Sequence, residues 1–147
     1  MSDNPSTRWN LLIHVAQQSL DERGRHLAQL CTRRDDAAAR LQTLLDYRIS
    51  FREQRTQAEQ NGLTADKLRN HQSFAATLER AVEEQSDRLN DVQRLVHDCE
   101  SDVRELHRRI HSFGVLQARQ ARSARVLELR VEQKHDDEIA SRMRLAS

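Results

Sequence analysis

Residues 75–113 read AATLERAVEEQSDRLNDVQRLVHDCESDVRELHRRIHSF, and this stretch decides the fold. Two rows of positions in it recur every seven residues. One row is Ala75, Val82, Leu89, Val96, Val103 and Ile110; the other is Leu78, Gln85, Val92, Cys99, Leu106 and Phe113. The positions between are mostly Asp, Glu, Arg, Gln and Ser. This is the a and d seam of a coiled coil. The rows run on more weakly through Gln117, Gln120, Ala124, Leu127 and Val131, and no proline follows Pro5. A single helix is therefore predicted over about 66–140, on the order of 110 Å long.

Working back toward the N-terminus, the same pattern returns less strictly. Its a row is Ile13, Leu20, Leu27, Arg34, Leu41, Arg48 and Arg55. Its d row is Trp9, Ala16, Arg23, Leu30, Ala37, Leu44, Phe51 and Ala58. Asn4 and Pro5 supply a start signal, with a cap and a first-turn proline. The Asn61–Gly62 pair supplies the stop, because glycine adopts the left-handed conformation that ends a helix. Thr64 can cap the next helix, with Asp66 near its positive end. The predicted fold is all-α: a helix over about 5–60, a tight turn near 61–66 and a longer C-terminal helix. These form one two-helix antiparallel coiled-coil hairpin spanning 1–147 as a single elongated domain.

An antiparallel hairpin keeps the residue numbers of facing seam positions at a constant sum. A sum of 126 pairs a with d throughout: Ile13 with Phe113, Leu20 with Leu106, Leu27 with Cys99, Leu30 with Val96, Leu44 with Val82, Phe51 with Ala75. Layers such as Arg34 opposite Val92 and Arg48 opposite Leu78 carry a polar partner. There the arginine stem can lie along the seam while the head projects outward. At the open end Trp9 faces Gln117, and Gln120 has only Ser6 opposite, so the seam is expected to weaken there. Beyond about Arg122 the chain overhangs without a partner. Two readings stand for that overhang: a frayed end, or a surface for another protein.

Composition narrows the function. The 147 residues contain 3 Gly and 1 Pro, which excludes a turn-rich β fold. Apolar residues reach only 37% against 32% charged, too little apolar mass for a core around a substrate pocket. Low hydrophobicity also marks disordered chains, but those carry a large charge imbalance, and here 24 basic residues meet 23 acidic ones. The same balance argues against a generic nucleic-acid binder. The longest aliphatic run, Leu11-Leu12-Ile13, is too short for a signal sequence or a membrane span. The expectation is a cytoplasmic protein with reduced thiols.

Motifs for catalysis are missing from the sequence. There is no glycine-rich phosphate loop and no nucleophile elbow. His107 and His111 share a helix face, but Arg108 stands where a zinc-protease helix needs Glu. Cys31 falls beside the seam near Cys99, as two small apolar thiols or as a bridge. The carboxylates have no desolvated cleft to perturb them. No catalytic residue, metal ligand or cofactor is expected. Arg119, Arg122 and Arg125 form a short basic stretch, read as a solvated face or as a docking site for an acidic protein. Tyr47 and Phe74 fall at g positions flanking the seam, with Leu44, Phe51, Leu78 and Ala81 nearby. This patch reads as a protein interface or as a thickened seam.

These residues also carry a family resemblance. Leu44-Leu45-Asp46-Tyr47, Phe51, the Asn61-Gly62 turn, Asn70-His71-Gln72-Ser73-Phe74 and Leu78-Glu79-Arg80-Ala81-Val82 together resemble the FliJ family of flagellar type III export proteins. The segment Glu132-Gln133-Lys134-His135-Asp136-Asp137-Glu138 is similar to a pattern near that family's C-terminus. The resemblance implies a hairpin like the coiled coil of the rotary ATPase γ subunit. It implies a non-enzymatic stalk that couples the hexameric flagellar export ATPase to the cytosolic domain of the membrane export gate and escorts or recycles export chaperones. The protein would be cytoplasmic, peripherally associated with the inner-membrane export apparatus. Gate-binding positions implied by the resemblance are Leu44, Tyr47, Phe51, Phe74, Leu78, Ala81 and Gln85. Gln85 stands where some relatives carry His, and Arg40 where Gln is common. ATPase-binding positions are expected at the open end: Arg8, Trp9, Arg119, Arg122 and Arg125. The alternatives are the equivalent stalk of a virulence injectisome, or a generic coiled-coil scaffold; weak self-association through the seam is a further expectation for the chain.

Overall fold

The computed structural model describes residues 4–147. It contains two helices, α1 over Pro5–Gln60 and α2 over Ala65–Leu145. Each boundary has a local cause. Asn4 Oδ1 accepts from the Ser6 amide at 3.2 Å, and the Asn4 carbonyl accepts from Thr7 at 2.8 Å. Pro5 then opens the helix, where its missing N–H costs nothing. At the other end Gly62 has φ 85°, and its amide returns to the Glu59 carbonyl at 3.3 Å. That is the left-handed residue just past a helix end which only glycine adopts freely. Thr64 Oγ1 accepts from the Lys67 amide at 3.3 Å and starts α2. α2 continues to Leu145, a few residues beyond the end read from the heptads, because Ser141-Arg142-Met143-Arg144 contain no breaker. Arg142 and Arg144 in its last turn suit the negative end of the helix dipole.

The contacts divide the chain into two units. The hairpin unit is Arg23–Asp102; the other joins the chain up to Glu22 with Val103–Ser147. In the hairpin unit α2 returns antiparallel along α1. Leu30, Val92, Val96 and Cys99 form its core, with Leu27 and Cys31 packed against it. Every a and d position from Leu27 to Ala58 and from Leu68 to Cys99 is buried or half-buried. Arg23 is the exception. It turns outward toward Asp102 at 4.0 Å instead of covering its layer. Interhelical pairs scatter on both sides of the residue-number sum 126, as knobs seated in holes should. Phe51 meets Phe74 and His71, Arg48 meets Glu79, and Gln85 meets Ala37. A seam between two helices cannot cover a side chain on all sides. Among the described residues no side chain is less than 2% exposed. Each aliphatic layer therefore contributes less than the roughly 1.5–3 kcal/mol of a fully buried side chain.

Polar seam positions are satisfied in three ways. Gln85, 7% exposed, donates Nε2–H to the Ala37 carbonyl at 3.1 Å. Cys99 Sγ lies 3.6 Å from the Arg23 carbonyl, and both cysteines are free thiols. Arg48 lays its stem in the seam and reaches Glu79 at 3.2 Å, while Arg52 holds the other Glu79 oxygen at 3.3 Å. Arg48 Nε and His71 Nδ1 are buried without a hydrogen-bond partner.

In the second unit Ile13, Ala16 and Leu20 pack with Val103, Leu106, Ile110 and Phe113 at buried or half-buried positions. The Trp9–Gln117 layer expected from the heptads is corrected here. The Trp9 ring stacks on Phe113, with centroids 6.1 Å apart, and its Nε1–H donates to Gln120 Oε1. Gln117 instead donates to Asn10 Oδ1 at 2.7 Å. An indole is longer than one seam layer, so it bridges the two positions either side of the one that faces it. From Ala121 to Ser147 every residue is exposed.

Candidate functional site

The g positions of both helices share one flank of the hairpin unit. Tyr47 and Phe74 meet there edge to face, with ring centroids 6.0 Å apart at 72°. Phe74 also meets Phe51 at 4.8 Å, and Phe51 rests on the His71 ring at 5.5 Å. The four rings form one stack that begins in the seam and ends in solvent. Tyr47 is 53% exposed and Phe74 40%, while Phe51, Leu44 and Ala81 are half-buried. Aromatic rings carry much contact area at little entropic cost, so an exposed aromatic surface on a charged coil is a candidate for protein contact.

Of the seven positions that the family resemblance implies for a gate contact, Leu44, Tyr47, Phe51, Phe74 and Ala81 are exposed or half-buried. Leu78 is 5% exposed and Gln85 7%. Both occupy d positions of the seam, and Gln85, one heptad along from Leu78, donates to the Ala37 carbonyl. Arg48, with Glu79 and Arg52, clamps the adjacent turn from the other flank. The His71 contribution was not legible in the sequence. Its d position was the available signal, since a seam residue one turn from Phe74 must lie under the same ring.

At the open end the basic residues Arg8, Arg119, Arg122 and Arg125 are exposed. None has a carboxylate within 4.0 Å among the described residues. Trp9 is held between Phe113 and Gln120, and an open hollow beside it is lined by Pro5, Arg8, Leu11, Leu12 and Gln120. Leu11, Leu12 and Val15 are 63%, 45% and 51% exposed, an apolar strip that the heptad reading passed over. Their positions outside the a and d rows were the signal. Such positions on a coiled coil are normally polar. His107 and His111 are exposed, and no group of three His, Cys, Asp or Glu side chains is placed to hold a metal among the described residues. No helix among them is long and apolar enough to cross a membrane.

The described surface thus carries an exposed aromatic patch on the hairpin unit and a basic stretch in the other unit. A family model described as "Flagellar FliJ protein" matches residues 6–146. The Flagellar FliJ protein of Escherichia coli (strain K12) is 29% identical over 131 residues, covering 89% of each chain. The Flagellar FliJ protein of Salmonella typhi is 30% identical over 131 residues, again covering 89% of each chain. No solved structure matches the chain at a significant level.

Proposed function

The chain belongs to the FliJ family of flagellar proteins, and from that premise we propose that it is a non-enzymatic stalk of the flagellar type III export apparatus. The stalk couples the hexameric export ATPase to the cytosolic domain of the export gate. It also escorts or recycles export chaperones, from the cytoplasmic side of the inner membrane. The observation that carries this reading is the exposed stack of Tyr47, Phe74 and Phe51 on one flank of the hairpin unit. It supports a gate contact made by Tyr47 and Phe74, with Leu44, Phe51 and Ala81 around them and Leu78 and Gln85 beneath. The ATPase contact then falls to Arg8, Trp9, Arg119, Arg122 and Arg125. Guanidiniums without partners there suit a ring lumen lined with carboxylates.

The test is hydrolysis by the same organism's flagellar ATPase with and without the full chain. A several-fold rise in turnover that saturates near one chain per hexamer is expected. An unchanged rate over the whole titration, with an ATPase shown to be hexameric, would sink the stalk reading.

A further inference from the structure

The flank that carries the aromatic stack continues along the hairpin unit as an open groove of about 450 Å³. Its rim is Arg33, Asp36 and Arg40 on α1 with Arg88 and Asp91 on α2, three cations against two carboxylates, and its floor is Ala37, Val92 and Leu95. Heptad arithmetic explains the layout. Arg33, Arg40 and Tyr47 are successive g positions of α1; Phe74, Ala81, Arg88 and Leu95 are successive g positions of α2. Tyr47 meets Phe74 across the flank. Two heptads along the hairpin, in the same register, Arg33 falls opposite Arg88.

Two guanidiniums facing each other are the wrong choice for the stability of a hairpin. Opposite charges at flanking positions stabilise a coiled coil, and like charges destabilise it. Asp36, three residues from Arg33 and four from Arg40, lines the same groove and offsets them only in part. Asp91 is held by Arg94 at 3.5 Å, and none of Arg33, Arg40 and Arg88 has a carboxylate within 4.0 Å among the described residues. Between them Leu95 is 46% exposed over buried Val92 and Ala37. Gln85 in the groove wall spends its N–H on the Ala37 carbonyl. Polar rim and apolar floor together ask for two things from an occupant: carboxylates and an aliphatic anchor.

We infer that this groove is a docking site for an acidic segment of a partner protein, with carboxylates on Arg33, Arg40 and Arg88 and an apolar side chain against Leu95. Arg33 and Arg40 are seven residues apart on one helix face, or roughly 10 Å. A partner helix with acidic residues at the same interval, framing leucines, matches them. A nucleic-acid backbone fits less well. The floor has no ring on which a base could stack. Gln85 is shared with the proposed gate contact, whereas Arg33, Arg88 and Leu95 belong to the groove alone, so their substitution tests the groove separately.

The probe is a fluorescent helical peptide of about 15 residues, with glutamates seven apart around a leucine pair. Its binding to the full-length protein is followed by anisotropy at about 50 and about 300 mM salt. Saturable binding that weakens with salt is expected. Arg33→Glu with Arg88→Glu should weaken it at least tenfold, and Leu95→Asp should do the same. Arg88→Glu alone should also weaken it, with helicity kept and melting temperature unchanged or raised, because the new carboxylate satisfies Arg33 from within. Arg88→Gln serves as the milder variant should the reversal disturb the fold. A wild-type protein that fails to bind the peptide below about 1 mM overturns the inference. So does binding indifferent to these substitutions, or equal binding of the peptide with Lys for Glu. A single-stranded oligonucleotide that binds the same groove as tightly would make it a polyanion site and overturn it as well.

Discussion

Tyr47 and Phe51 stand one helical turn apart and do different work. Tyr47 ends the aromatic stack in solvent, whereas Phe51 is half-buried between Phe74 and His71. Truncating Tyr47 and Phe74 together to Ala should lower affinity for the gate domain by tenfold or more, as loss of paired aromatic anchors does. Circular dichroism melts should move little. Phe51→Ala should instead lower stability by about 1–3 kcal/mol, since it opens a gap beneath the same patch. If the double variant unfolds before it loses binding, the patch is core and the interface lies elsewhere. Heptad arithmetic alone placed Tyr47 and Phe74 on the flank, because a g position on a two-helix coil has nowhere to hide. The same arithmetic misjudged Trp9, since it treats each residue as a point. An indole spans the distance between Phe113 and Gln120. The burial of Leu78 and Gln85 also follows from their d positions, which a list of positions implied by family resemblance does not separate from surface ones.

Helix ends were the most legible elements, because their chemistry is local. Gly62 takes φ 85° and nothing lies within 4 Å of the Cβ it lacks. Gly62→Ala should therefore cost only backbone strain, about 1 kcal/mol, read as a lower midpoint in urea with an unchanged slope. Thr64→Ala should cost a similar ~1 kcal/mol through the lost cap. The far end of α2 was less legible, since no breaker marks it. Residues 121–147 are exposed throughout. Deleting them should shift the melting temperature by no more than about 2 °C. The same deletion should abolish stimulation of the ATPase, for it removes Arg122 and Arg125. A large loss of thermal stability would mean that this segment covers something in the folded chain.

Across the molecule the charges nearly cancel, at 24 basic and 23 acidic, so local imbalance has to carry any recognition. Reversing Arg119, Arg122 and Arg125 to Glu should abolish ATPase stimulation and leave helicity and gate binding nearly intact. Each exposed pair is worth only about 0.2–1 kcal/mol, which is why all three must change. Normal stimulation by the triple variant at low salt would leave that stretch as a solvated face. The fixed register about Gly62 also orders events during synthesis. Phe51 and Phe74 can meet soon after the turn leaves the ribosome, but Trp9 must find Gln120, 111 residues later. Loop closure grows costlier with that separation, so the hairpin should zip from its turn outward. For some time on the order of seconds, the first helix to be made is the last to find its partner. During that interval its nascent end presents Trp9, Ile13, Ala16 and Leu20 bare, which the folded chain covers. Early translation is thus when this chain is most prone to aggregate, and when a holdase has most to protect.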